Sequence, residues 1–120
     1  MSEEKAALFD ANRLDETCAG KATLKLRVID RYIATVEAAL TAIESAAASG
    51  DTAALSSAAH ALKGSSLTIG SPLVSSLCET VEHSARDGRV EGVTVSEIRP
   101  AVQRLQTCLQ ELATEIQSAV

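Results

Sequence analysis

The sequence predicts an all-α fold: an antiparallel four-helix bundle with a short additional N-terminal helix. Apolar residues make up 46% of the 120 residues but aromatic residues only 2%, so Ala, Leu, Ile and Val must form the core. With two prolines and six glycines, this composition is typical of helices rather than sheets. Apolar residues also recur at intervals of three and four. Because this length suits one domain, we expect residues 1–120 to form a single bundle.

Apolar spacing divides the chain into helices separated by short breaks. A weak first helix covers about residues 9–18, where Asp10 can cap the N-terminus and Gly20 is a stop. A long second helix covers about residues 23–49, and Gly50 ends it. Its apolar stripe consists of Ile29, Ile33, Val36, Leu40, Ile43 and Ala47.

The third and fourth helices meet at Gly70. Asp51 can cap a third helix over about residues 51–69, which Gly70 stops. Ser71 followed by Pro72 predicts the start of a fourth helix, which ends near residues 87–88. The apolar stripes of these two helices contain Leu55, Ala58, Leu62, Ser66 and Ile69, and then Leu73, Leu77, Cys78, Val81 and Ala85.

The last helix has regular apolar spacing and one awkward residue. Pro100 is tolerated only within a first turn, so the start of this helix stays open by a few residues. Four amphipathic helices with short turns pack most simply as an antiparallel bundle, with the first helix as a lid. The stripe of the last helix is Ile98, Val102, Leu105, Leu109, Leu112 and Ile116.

Charge and cysteine content argue against several classes of function. A net charge of −5 disfavours nucleic acid as a partner, and no run of Lys and Arg suggests an anionic membrane surface. The first five residues lack a signal-peptide pattern, and no apolar run approaches a membrane span, so we expect a cytoplasmic protein. Three cysteines without C-x-x-C spacing make a disulfide framework or zinc site improbable, and each is expected to be a small apolar residue.

The outward face of the third helix is unusual for a plain bundle. Leu62 lies nearly opposite His60 at 100° per residue, so the histidine points away from the core. The same geometry groups His60 with Lys63, Gly64 and Leu67, and Ser57 extends this face upstream. Lys63 is expected to point outward, near enough to favour an anion beside the histidine.

Two interpretations of this face follow from the residues alone. Gly64 in mid-helix lowers helix stability by about 0.5–1 kcal/mol relative to Ala. Leu67 is a large apolar residue on the solvent-facing side of the helix. Together they indicate a docking site where another protein can approach an exposed nucleophile. An ordinary surface histidine beside a tolerated glycine explains the same pattern about equally well.

The local sequence resembles the histidine-containing phosphotransfer (HPt) family. The resemblance is carried by A-H-A-L-K-G-S-S at residues 59–66, I-G at 69–70 and L-C-E at 77–79. It implies that His60 accepts a phosphoryl group from a receiver-domain aspartate or a kinase and passes it to another receiver. The implied partners are response-regulator receivers and a hybrid sensor histidine kinase, and we expect the protein to be a monomer.

The resemblance also assigns roles around His60. Glu82 matches the position whose side chain contacts the imidazole, where its carboxylate would accept the Nδ1 proton and leave Nε2 free to attack. Lys63 would offset charge on the phosphoryl oxygens, and Arg86 matches a position that is basic in some members. Gly64 would give access to the imidazole.

The sequence indicates a carrier rather than an enzyme. It has no Gly-rich phosphate loop and no Asp cluster for Mg²⁺, so we expect no cofactor in this chain and Mg²⁺ on the receiver partner. No ATP-binding domain is present in the sequence. Whether the chain is free-standing or part of a larger kinase is left open.

Two other functions, a metal site and an adaptor, are alternatives to phosphotransfer. A metal site could use Cys78, Glu79, Glu82 and His83, but the chain lacks the paired Glu-x-x-His motifs of di-iron bundles. A phosphorylation-independent adaptor could bind a receiver or kinase without carrying phosphate. An intact His60 and Lys63 argue against the adaptor, which needs neither residue.

Overall fold

The computed structural model describes residues 7–119, and the chain is helical almost throughout that range. No residue between 7 and 119 is in a strand, so the predicted all-α fold is confirmed. The helices with complete bounds are α1 (Ala11–Thr17), α2 (Ala22–Ser49), α3 (Thr52–Ile69), α4 (Pro72–Arg86) and α5 (Gly92–Ala119).

Side-chain caps begin three of these helices, at the residues that the sequence indicates. The Asp10 carboxylate accepts hydrogen bonds from the first amides of α1, Asp51 accepts one from Ala54, and the Ser71 hydroxyl accepts one from Val74. The long helix α2 ends at Gly50, which has a left-handed backbone with φ of +71°. Local chemistry therefore sets most of the helix boundaries.

The helices α2 to α5 form the bundle in chain order. Each packs against the next, and α5 returns to pack against α2, so the short turns make neighbours antiparallel. A buried hydrogen bond of 3.1 Å joins the Tyr32 hydroxyl on α2 to the Ser66 hydroxyl on α3. The fully buried core includes Leu14, Ile29, Ile43, Leu55, Leu62, Ile69, Ile98, Leu105 and Leu109.

The core stripes differ in detail from those predicted. Ala59 is completely buried in α3, whereas Ala58 is only partly buried against the core. In α4, Val74 is completely buried, while Leu73 and Leu77 lie at the edge of the core. These shifts amount to one helical position, which is within what a wide apolar face allows.

The short helix α1 covers the turn between α3 and α4. The Asp10 amide donates a hydrogen bond of 2.7 Å to the Gly70 carbonyl, and Leu14 is fully buried. Gly70 has φ of +96°, and a Cβ there would lie 2.7 Å from the Asp10 carbonyl oxygen. Only glycine permits this close approach.

The prediction for Pro100 was wrong. Helix α5 begins at Gly92, so this proline lies inside the helix rather than in its first turn. A proline inside a helix costs about 3 kcal/mol because it removes one backbone hydrogen bond. The freed carbonyl belongs to Ser96, which is exposed, so water can solvate it, and the buried Ile98, Ala101 and Val102 hold the helix against the bundle.

An ion-pair cluster also links α2 and α5. Arg99 binds the Glu44 carboxylate through two hydrogen bonds of 2.8 and 2.9 Å, and its other terminal nitrogen lies 2.8 Å from Glu37. Glu44 has its pKa lowered chiefly by its hydrogen bonds to Arg99.

None of the helices within residues 7–119 combines the length and apolar character that a bilayer crossing requires.

Candidate functional site

His60 lies in the middle of α3 and faces solvent. Its neighbour Ala59 and the opposite Leu62 are buried, which turns the imidazole outward, and 64% of its side chain is exposed. The core-facing stripe of α3 therefore fixes the direction of this histidine. An incoming group can reach the ring from outside the bundle.

Glu82 lies beneath the imidazole on α4. Only 1% of its side chain is exposed, yet its Oε2 atom lies 2.8 Å from Nδ1 of His60. Burying a carboxylate is costly unless it is paired and hydrogen-bonded, so this residue depends on its partners. The structure brings these two residues together across the α3–α4 interface, where the resemblance had placed a contact.

Two cations complete the surroundings of Glu82. Lys63 Nζ lies 2.9 Å from Oε1, and Arg86 donates a hydrogen bond of 2.6 Å from Nη2 to Oε2. The lysine forms an ion pair rather than a well-aligned hydrogen bond, because Oε1 accepts no hydrogen bond of good geometry from any described residue. One buried carboxylate thus contacts a histidine, a lysine and an arginine.

The expected outward orientation of Lys63 was wrong. Only 23% of its side chain is exposed, because it bends towards the buried Glu82 carboxylate. Outward placement of the Cβ does not decide where a four-carbon side chain ends. Lys63 neutralises Glu82 in this structure, and Arg86 remains largely exposed beside it.

The pKa of Glu82 is lowered from its ordinary value of 4.5. Lys63 is the largest cause, burial acts in the opposite direction, and His60 and Arg86 add to the lowering. At neutral pH the carboxylate is therefore ionised and can only accept hydrogen bonds. Nδ1 of His60 must then carry the proton, and in the neutral ring Nε2 keeps its lone pair.

Gly64 leaves open space one turn from His60. A Cβ at this position would meet no atom of residues 7–119 within 4 Å, and the residue is exposed within α3. Contacts among the described residues therefore do not require glycine here, in contrast to Gly70. Because glycine has no side chain, the surface of α3 does not project beside the imidazole at this position.

Comparison with known proteins identifies the family. The family model described as "Hpt domain" matches residues 27–118, which is most of the sequence. The chain belongs to the Hpt domain family. It is therefore a phosphotransfer protein of two-component systems, and such domains are phosphocarriers that interact with receiver domains and histidine kinases.

Solved structures agree with this fold. The histidine-containing phosphotransfer protein B (HptB) of Pseudomonas aeruginosa PAO1 is 21% identical, with a TM-score of 0.85 over 92% of this chain and 97% of that chain. The HPT domain of the Hpt sensor hybrid histidine kinase of Shewanella is 17% identical, with a TM-score of 0.79 over the same shares. None of the curated proteins compared matches the sequence.

The remaining predicted residues of this Hpt domain border the same face. Leu67 is exposed two turns from His60 on α3. Ser57 is exposed on the other side of the histidine, where a shallow depression is lined by Ser57, Ser56, His60, Glu82 and Arg86. The surface around the imidazole is thus concave towards the start of α3 and apolar towards its end.

The four residues of the alternative metal site lie on different sides of α4. Cys78 and Glu82 are buried, whereas Glu79 and His83 are exposed and lie 3.8 Å apart. Burial raises the pKa of the Cys78 thiol to about 12, so no thiolate is available there at neutral pH. Residues 7–119 contain no cluster of three or more side chains suited to a metal ion.

Sequence reasoning missed the contact between Arg86 and Glu82. The two residues are four apart on α4, a spacing at which opposite charges pair on a helix. That spacing could have indicated the pair. The bend of Lys63 towards Glu82 had no such local indication, because it crosses between two helices.

Proposed function

We propose that His60 accepts a phosphoryl group on Nε2 from a receiver-domain aspartate, or from a kinase, and passes it to another receiver. The observation that carries this proposal is the pair formed by an exposed imidazole and a buried, ionised carboxylate 2.8 Å from Nδ1. Such a carboxylate supports the tautomer in which Nε2 is the nucleophile.

The proposed transfer forms one bond and breaks one. The Nε2 lone pair attacks phosphorus, and the bond between phosphorus and the aspartate oxygen of the donor breaks, which returns a carboxylate to the receiver. The Nδ1 proton stays in place, so the ring becomes cationic as the new bond forms. The Glu82 carboxylate stabilises this positive charge, and transfer to the next receiver reverses the steps.

Lys63 and Arg86 have complementary parts in this proposal. Both contact the Glu82 carboxylate, so they keep it ionised and hold it in position under the ring. They also bring two positive charges near the atom that receives the phosphoryl group, and charge stabilisation is a large part of phosphoryl transfer. Gly64, Leu67 and Ser57 would then border the receiver.

The chain is proposed to act as a single-domain monomer without a cofactor of its own. The acidic phosphoryl acceptor and its Mg²⁺ would come from the receiver, and the energy from the donor. Response-regulator receiver domains and a hybrid sensor histidine kinase are the proposed partners, in the cytoplasm. The direction of transfer depends on which partners are present.

Labelling from a phosphorylated receiver tests the proposal. The protein is incubated with receivers carrying ³²P, and the label on the bundle is tested for the acid lability and alkali stability of phosphohistidine. We expect label on the wild type and none on His60→Gln. The matched control is His83→Gln, because 64% of the His83 side chain is exposed, the same fraction as for His60.

Each result of this experiment has a definite meaning. Label on the wild type and His83→Gln but not on His60→Gln supports the proposal. Equal labelling of wild type and His60→Gln would overturn it. Stable binding of receivers without any label would favour the adaptor instead.

A further inference from the structure

We infer that Arg13 of α1 belongs to the receiver-docking surface and discriminates between receivers, by pairing with a carboxylate beside an apolar side chain that covers Leu67. This inference rests on the proposed function, because it takes the face around His60 as the receiver site. It adds a residue outside residues 27–118, the segment that matches the Hpt domain.

Arg13 and Leu67 line one small depression. Its other lining residues are Asp10, Gly70, Ser71 and Pro72, so α1, the end of α3 and the start of α4 meet there. Leu67 is one of the few large apolar residues within 7–119 that stay exposed. A partner that buries the Leu67 side chain from solvent must therefore also come close to Arg13.

The position of Arg13 is fixed by buried contacts of α1. The Asp10 amide bonds to the Gly70 carbonyl, and Leu14 is completely buried, so the residues on either side of this arginine are held. The Arg13 Cβ atom lies only 3.6 Å from the point where a Gly70 Cβ would stand. Its backbone is thus placed against the α3–α4 turn.

The charge of Arg13 is available to a partner. The Asp10 carboxylate is already engaged by the amides of Asn12 and Arg13, and no ion pair of residues 7–119 includes Arg13. Lys63 and Arg86, by contrast, share the Glu82 carboxylate. Because the proposed partner is a protein domain, the anionic group that Arg13 would bind is an Asp or Glu carboxylate.

Distance places this arginine at the rim of the docking surface. Leu67 lies about 10 Å from His60 along α3, and Gly70 about 15 Å, at 1.5 Å per residue. A standard interface covers about 800 Å² on each partner, equivalent to a disc of about 16 Å radius. Arg13 beside Gly70 then falls near its edge, where charges act mainly on association rate and salt dependence.

Charge reversal at Arg13 tests the inference. Transfer from a panel of phosphorylated receivers is measured for wild type, Arg13→Glu and Arg13→Ala, at low and high salt. The control is Arg27→Glu, which changes the net charge equally at an exposed position on α2. The Arg13→Glu substitution places a negative charge in the first turn of α1, where the helix dipole favours it, so α1 should remain folded, as circular dichroism and thermal unfolding can verify.

We expect Arg13→Glu to lower kcat/KM for the preferred receiver about tenfold at low salt, through KM, with a smaller loss at high salt. Arg13→Ala should lie between it and the wild type, and less favoured receivers should lose less. The same kcat/KM for Arg13→Glu and Arg27→Glu with every receiver would overturn the inference. If wild type accepts no label at all, the proposed function fails, and this inference fails with it.

Discussion

The two histidines of the protein have equal exposure but different partners. His60 on α3 and His83 on α4 each expose 64% of the side chain. Nδ1 of His60 lies 2.8 Å from a carboxylate that is 1% exposed, whereas Nε2 of His83 lies 3.8 Å from the exposed Glu79. Exposure alone therefore does not distinguish the proposed nucleophile from a surface histidine.

The difference lies in what each carboxylate can do. An exposed pair is screened by water and contributes little, and the side chains are free to separate. A buried carboxylate cannot leave its partners without a large desolvation cost, so Glu82 is fixed in place 2.8 Å from Nδ1 of His60. The comparison predicts that changes around His60 have large effects and equivalent changes around His83 have small ones.

The largest effect is expected from removing the buried acceptor. Glu82→Leu should slow phosphoryl transfer about 100-fold, the lower end of what a positioned acid or base contributes, because the Nδ1 proton loses its acceptor. Glu82→Gln keeps an acceptor without the charge and should lie between Leu and wild type. Rapid-quench measurement of single transfers gives the rates.

Glu79→Leu is the control for this prediction, because it removes the carboxylate next to the other histidine. Its transfer rate should match that of the wild type. If Glu79→Leu and Glu82→Leu are slowed equally, the buried carboxylate has no special role.

Acid should destabilise the fold through Glu82. The pKa of this residue is lower in the folded state than its ordinary 4.5, chiefly because of Lys63, so its contribution is complete above that value. It is lost as pH falls through the lowered pKa of the folded state.

Urea unfolding of wild type and Glu82→Gln at several pH values checks this dependence. The free energies of unfolding of the two proteins should differ most near neutral pH and converge in acid. A difference that stays constant with pH would contradict the assignment of ionised Glu82 to the folded state.

Added bulk beside His60 should block docking. Gly64→Gln fills the open space one turn from the imidazole, so transfer from receivers should fall about tenfold or more, corresponding to about 1.4 kcal/mol. Thr80→Gln adds a similar side chain at an exposed position near His83 and should leave transfer unchanged. Equal rates for these two variants would show that Gly64 does not provide access.

The smallest expected effect is on stability. Gly64→Ala should raise the free energy of unfolding by about 0.5–1 kcal/mol, because alanine favours the helix and its Cβ meets no neighbour. Thermal or urea unfolding can measure the change. No gain would mean that the backbone at Gly64 is not free to accept a side chain.

Much of the fold was predictable because it depends on near neighbours in sequence. Asp10, Asp51 and Ser71 cap helices at the predicted places, since a cap bonds to amides two or three residues away. Pro100 was predicted wrongly because the free-energy cost of a proline inside a helix is a local quantity that does not decide the outcome by itself. Packing of the residues around it against the bundle outweighs that cost, and packing is not a local property.

The site was predictable only where it depends on a single helix. The sequence by itself determined that His60, Gly64 and Leu67 share an outward face, because helical periodicity sets the direction of each Cβ. Only the tertiary structure decided that Glu82 is buried beneath the ring, that Lys63 bends inward to meet it, and that α1 lies beside Leu67. These contacts depend on the rotation and register of packed helices, which the whole core determines together and no single segment encodes.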